Sequence, residues 1–156
     1  MKKDIVASRR QQIQRLQDQL VLKADGKHIV GDGKSITHTN MFPLKHSFAD
    51  GVYIREMKME KGSAVIGAIH NHLHVWFLLQ GELIVATENS TEEFLAPCYV
   101  ISKPGSKRVI YAVEDSVFVN IHKNYSNTKN IKKLEADIVS NTFEEYEKYI
   151  NKKNKL

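Results

Sequence analysis

The segment 67–83, GAIHNHLHVWFLLQGEL, places His70, His72 and His74 at alternate positions. Neutral imidazoles are good ligands for divalent Fe, Zn, Ni and Cu, and three on one surface leave coordination positions open for a substrate. Successive side chains of a β-strand project to opposite faces, so this spacing predicts three rings on one side of a strand. The apolar run VWFLL then carries that strand into a core before Gln80-Gly81 turns it. Three of the chain's seven histidines fall within this one stretch, a concentration that solvation does not require. His122, at the end of the strand-like SVFVNIH, is a fourth candidate that enters the same interior if its strand parity is right. A histidine alone on a strand is more often hydrogen-bonded or solvated than a ligand; the shared face is what raises the expectation.

The elements that must position these rings are short strands punctuated by turns. Candidate strands are 35–40, 52–59, 63–70, 72–79, 82–88, 92–95, 98–102, 107–113 and 116–122, separated by signals such as Asp50-Gly51, Lys61-Gly62, Gln80-Gly81 and Pro104-Gly105. So many short, evenly spaced strands predict a mainly β, antiparallel closed barrel or jelly roll, because closure removes exposed strand edges. Helical periodicity flanks the barrel. Residues 4–22 carry a narrow apolar stripe of Ile13, Leu16 and Leu20, and 128–138 align Ile131, Leu134 and Ile138. A last helix, FEEYEKYI, is capped from 140–142, with acidic residues first and lysines last as the helix dipole prefers. The expected organisation is an N-terminal helix (1–24), a glycine-rich linker (25–34), a β-barrel (35–122) and helices on its outside (123–156).

Composition narrows the function classes. At 156 residues the chain forms one domain with a core of its own, so a metal would be functional, not a staple. Its 42% hydrophobic and 26% charged content is ordinary for a globular protein, and no apolar window approaches a membrane span. The opening MKKDIVASRRQQ lacks the apolar segment of a secretory signal, so a cytoplasmic setting is expected. Cys98 stands alone, which excludes an intramolecular disulfide. The net charge of +5 collects at the two ends and reads as solvated surface; no nucleic-acid-binding motif accompanies it.

The strand order together with GAIHNHLHVWFLLQGELIV resembles a small cupin of the RmlC-like jelly-roll superfamily. The family's first motif runs G-x5-H-x-H-x3-4-E-x6-G. With Gly81 as its closing glycine, His74 falls at the glutamate position, His70 at the second histidine and Ala68 at the first. The shorter spacing instead pairs His70 with His72 and puts Trp76 at the glutamate position. The second motif falls on APCYVISKPGSKRVIYA, where Arg108 occupies the histidine position and Ala112 the asparagine position. The stretch PGSKRVIYAVEDSVFVNIHKN and the FEEYEKYI end are also similar to short cupin-like proteins of tailed phages, which would put the chain in a host cytoplasm.

The resemblance implies a barrel pocket for a divalent transition metal (Fe, Zn, Ni or Cu) and carries over His70 and His74 as ligands; the strand reading adds His72 and His122 in place of the family positions held by Ala68 and Arg108. Arg108 would clamp the carboxylate or phosphate of a small anionic ligand, since guanidinium cannot ligate a metal but binds such groups in bidentate fashion. Trp76, Tyr99 and Tyr111 are candidate pocket walls, although aromatic residues are more often core. Three readings follow: a metal-dependent enzyme acting on a small molecule, a binder that sequesters an anionic metabolite without chemistry, and a structural or assembly protein. A homodimer is expected in each.

Overall fold

The computed structural model describes residues 1–25, 29 and 42–155. The expected strand 35–40 and most of the expected linker lie outside the described residues. The elements are α1 (Lys2–Leu22), β1 (Leu44–Ala49), β2 (Val52–Met59), β3 (Ala64–Ile66), β4 (Ile69–His70), β5 (His74–Gln80), β6 (Glu82–Ala86), β7 (Thr91–Leu95), β8 (Cys98–Ser102), β9 (Val109–Ala112), β10 (Ser116–Lys123), α2 (Ile131–Ile138), β11 (Val139–Ser140) and α3 (Phe143–Lys153). A five-stranded sheet in the order β1-β2-β10-β5-β8 faces a four-stranded sheet in the order β3-β9-β6-β7, and β11 pairs with β4. Their ladders are antiparallel. The expected mainly β architecture, with one N-terminal and two C-terminal helices, is the one observed.

Strand alternation builds the core between the sheets. Trp76 and Leu78 of β5, Met59 of β2 and Phe118 of β10 meet Leu83 and Val85 of β6 and Ile110 and Ala112 of β9. Trp76 sits edge-on to Phe94 at 5.0 Å and 5.1 Å from Phe118, ring centre to ring centre. Gly81 closes the β5–β6 turn with φ +88°, and a Cβ there would stand 2.4 Å from the Asp115 carbonyl. Only glycine fits so close an approach.

Two expected long strands are broken. The span 63–70 divides into β3 and β4, and 72–79 starts only at His74, because residues 71–73 turn. That turn is pinned from far along the chain: Asn71 N–H donates to the Ile138 carbonyl at 2.7 Å, and Ser140 Oγ donates to Asn71 Oδ1 at 2.7 Å. Strand β1, which weak alternation concealed, hairpins with β2 about Asp50-Gly51.

The helices dock by different means. Helix α2 buries Leu134 and Ile138 against Tyr53, as its apolar face requires. Helix α3 begins at Thr142, whose Oγ1 accepts from Glu145 N–H at 3.1 Å while Glu145 Oε2 accepts from Asn141 N–H at 2.7 Å. Helix α1 buries only Ile13 and is tied down by Arg10, which lies over the Phe143 ring at 4.6 Å and 3.5 Å from Glu88.

Candidate functional site

At one end of the core the alternation that buries apolar side chains buries polar ones. His70 ends β4, His74 opens β5, Asn120 and His122 lie on the inner face of β10, and Arg108 precedes β9; all five are buried. The rings of His70, His74 and His122 are mutual neighbours, with centroids 4.0, 4.9 and 5.1 Å apart. Tyr53, opposite His122 in the β2–β10 ladder, stacks on it at 6.0 Å, and its hydroxyl lies 2.7 Å from His46 Nδ1.

The centre of this cluster is a guanidinium. Arg108 Nη2 donates to His70 Nδ1 at 3.0 Å and to His74 Nε2 at 3.2 Å, while Nη1 reaches Ser102 Oγ at 3.4 Å. These partners fix the tautomers, since guanidinium can only donate. His70 keeps its proton on Nε2. His74 keeps its proton on Nδ1, which donates to the His72 carbonyl at 3.3 Å.

Burial sets the charges. It is the first cause holding His70 well below the usual imidazole range, with the Arg108 charge second. Burial and then Arg108 bring His74 down to about 4. His122 falls to about 2, through burial, then the neighbouring His74 and Arg108. Burial lowers Arg108 only to about 10, so it stays charged at neutral pH. The site therefore holds three neutral rings beside the full positive charge of Arg108, with the Arg55 charge also acting on His70 and His122. Among the described residues no carboxylate pairs with Arg108.

The structure corrects several expectations from sequence. His72 does not share a face with His70 and His74. It lies in the turn 71–73, half-buried on the outside, where its Nε2 donates to the Asp137 carbonyl at 2.9 Å and its ring meets Tyr149 edge-on. The turn breaks strand parity between positions 70 and 74, and His122 takes the third place in the cluster. Trp76 points inward but is sealed in the apolar core. Tyr99 and Tyr111 are no pocket walls: they lie on outward positions of β8 and β9 and are 65% and 42% exposed. Sequence reasoning missed Asn120, Tyr53 and Ser102. The signal for Asn120 was present, since it stands two residues before His122 and must share its face.

A divalent transition metal fits these residues poorly. The donors are of the right type, three neutral imidazoles. The lone pairs of His70 and His74, however, meet on Arg108 Nη2 at hydrogen-bond distance, where a resident ion would need nitrogens at about 2.0–2.1 Å. A divalent ion about 4 Å from that guanidinium would meet a repulsion of about 8 kcal/mol at an effective dielectric constant of about 20. Among the described residues no three His, Cys, Asp or Glu side chains are arranged to hold an ion. The arrangement is a guanidinium centre and not a metal centre.

The plu4264 protein of Photorhabdus luminescens is similar over 65% of this chain and 91% of its own, at 16% identity and TM-score 0.50. A cupin 2 conserved barrel domain protein from Salinispora arenicola matches 67% of this chain and 94% of its own, at 12% identity and TM-score 0.48. A cupin superfamily protein from Desulfitobacterium hafniense matches 57% of this chain and 83% of its own, at 13% identity and TM-score 0.47. The two facing antiparallel sheets make the expected jelly-roll type of β architecture, and the plu4264 protein shares that fold. At such identities the likeness is one of fold alone. No protein-family model and no curated protein matches the sequence. Among the described residues no helix is long and apolar enough to cross a membrane.

Proposed function

We propose that this small cupin binds a small anionic molecule at the polar end of its barrel, and that Arg108 is its anchor. The observation that carries this reading is the buried guanidinium with no carboxylate beside it among the described residues. Burying an unpaired charge costs several kcal/mol, and neutral imidazoles orient the guanidinium without neutralising it. A carboxylate or phosphate would supply the missing charge and form charge-assisted hydrogen bonds. Binding is favoured over acid–base chemistry because a general base works best with a pKa near the operating pH, and in the free site His74 and His122 lie at about 4 and about 2.

Calorimetric titration of malate and phosphate into the wild type and Arg108→Met tests this reading. Saturable binding at one site per chain, weakened at least about tenfold by Arg108→Met, is expected; about tenfold corresponds to 1.4 kcal/mol. In anion-free buffer Arg108→Met should be as stable as the wild type or more stable, since it removes a buried charge. No binding of either anion, or equal binding by the variant, would overturn the proposal. Stoichiometric, tight uptake of zinc or nickel by the wild type would favour the metal-dependent reading instead.

A further inference from the structure

Asn120 says more about the ligand than Arg108 does. Its side chain lies on the inner face of β10, is 8% exposed, and its Oδ1 has no hydrogen-bond partner. Buried amide oxygens without a donor are rare in native proteins, because such a group loses its water without gaining a partner. His74 does not supply that donor. The Asn120 amide lies close enough to that ring to favour its protonated form, but not in hydrogen-bonding alignment. Moreover, the proton of neutral His74 sits on Nδ1, committed to the His72 carbonyl, while Nε2 accepts from Arg108. An acceptor in need of a donor and a guanidinium in need of an anion thus flank a single ring.

From this juxtaposition we infer that the ligand is a small hydroxy-carboxylate: its carboxylate meets Arg108 and a hydroxyl on a nearby carbon donates to Asn120 Oδ1. The inference rests on the anion-binding reading above and adds the chemical class. Arg108 is the guanidinium in contact with the rings, while Arg55, opposite Asn120 in the β2–β10 ladder, acts on His70 and His122 from farther off; a carboxylate matches the single contacting charge, and glycerol 3-phosphate tests that choice. A site built to hydrogen-bond a ligand hydroxyl discriminates strongly against the analogue without it, because the protein's polar group is then left unpaired.

Malate and succinate differ by one hydroxyl, and glycerol 3-phosphate offers a hydroxyl with a phosphate. Calorimetric titration of all three into the wild type and Asn120→Leu is the test. Wild type should bind malate about tenfold more tightly than succinate and prefer it to glycerol 3-phosphate. Asn120→Leu should bring malate down to the succinate level while leaving succinate unchanged, whereas Arg108→Met should weaken both acids. Equal affinity of wild type for malate and succinate would overturn the hydroxyl assignment and leave the anion site standing, and this comparison needs no variant to fold. Preference for glycerol 3-phosphate, or a malate preference surviving in Asn120→Leu, would overturn it as well. Failure of all three ligands to bind would remove the anion reading and this inference together.

Discussion

The two ends of the barrel interior are made by the same strands and have opposite characters. Along β5, His74 is followed at the next inward positions by Trp76 and Leu78; along β10, Phe118 is followed by Asn120 and His122. Leu78 and Leu83 at the apolar end are sealed completely, at 0% exposure, while His70, His74, Arg108, Asn120 and His122 keep 5–8%. The apolar end supplies stability by removing hydrocarbon from water. The polar end does the reverse, confining a charge, three rings and an orphan acceptor. Retaining such an end works against the fold's own stability, and the binding role proposed above would account for it.

Breaking the apolar end should have the largest effect. Trp76→Ala removes the ring that fills the space between Phe94 and Phe118 and should cost about 3–5 kcal/mol, read as a fall in the denaturant midpoint. A loss below about 1 kcal/mol would show that this end is not the stabilising half.

Acid should break the polar end selectively. The ordinary imidazole value is 6.5, and the folded values of His70, His74 and His122 all lie below it. The unfolded chain therefore takes up protons first as pH falls, so stability is full above about 6.5 and declines toward 4, by at most about 1.4 kcal/mol per pH unit for each ring. Unfolding free energies measured from pH 7.5 to 4.5 should show this decline. Replacing His122 by Asn should flatten it, and a profile unchanged by that substitution would contradict the assignment.

The smallest effect is expected outside the barrel. His72→Ala removes the shared hydrogen bonds of its Nε2 to the Asp137 carbonyl and the Tyr149 hydroxyl and should cost about 1 kcal/mol without changing malate affinity. A large loss of affinity would return His72 to the site.

Most of the architecture was legible because strand alternation and turn residues are local signals. The span 52–59 was expected as the strand it is, and so were 98–102 and the two C-terminal helices. The family-motif register on Gly81 also put His70, His74 and Arg108 at ligand positions, and these three are in contact. What local signals could not show was the turn at 71–73, imposed by Ile138 and Ser140 more than sixty residues away. A period-2 reading therefore ran straight through it and placed His72 with its neighbours. Asn120 was overlooked for a different reason: its importance lies in a missing partner, and only three-dimensional placement reveals that.

Arg108 occupies the point where the lone pairs of His70 and His74 converge, and the absence of a resident metal follows from that. Elemental analysis of untagged protein, purified without chelator, tests it most directly. The account predicts transition metal well below one atom per chain, unchanged by the double substitution His70→Ala and His74→Ala. One tightly held atom per chain, lost in that double variant, would contradict it.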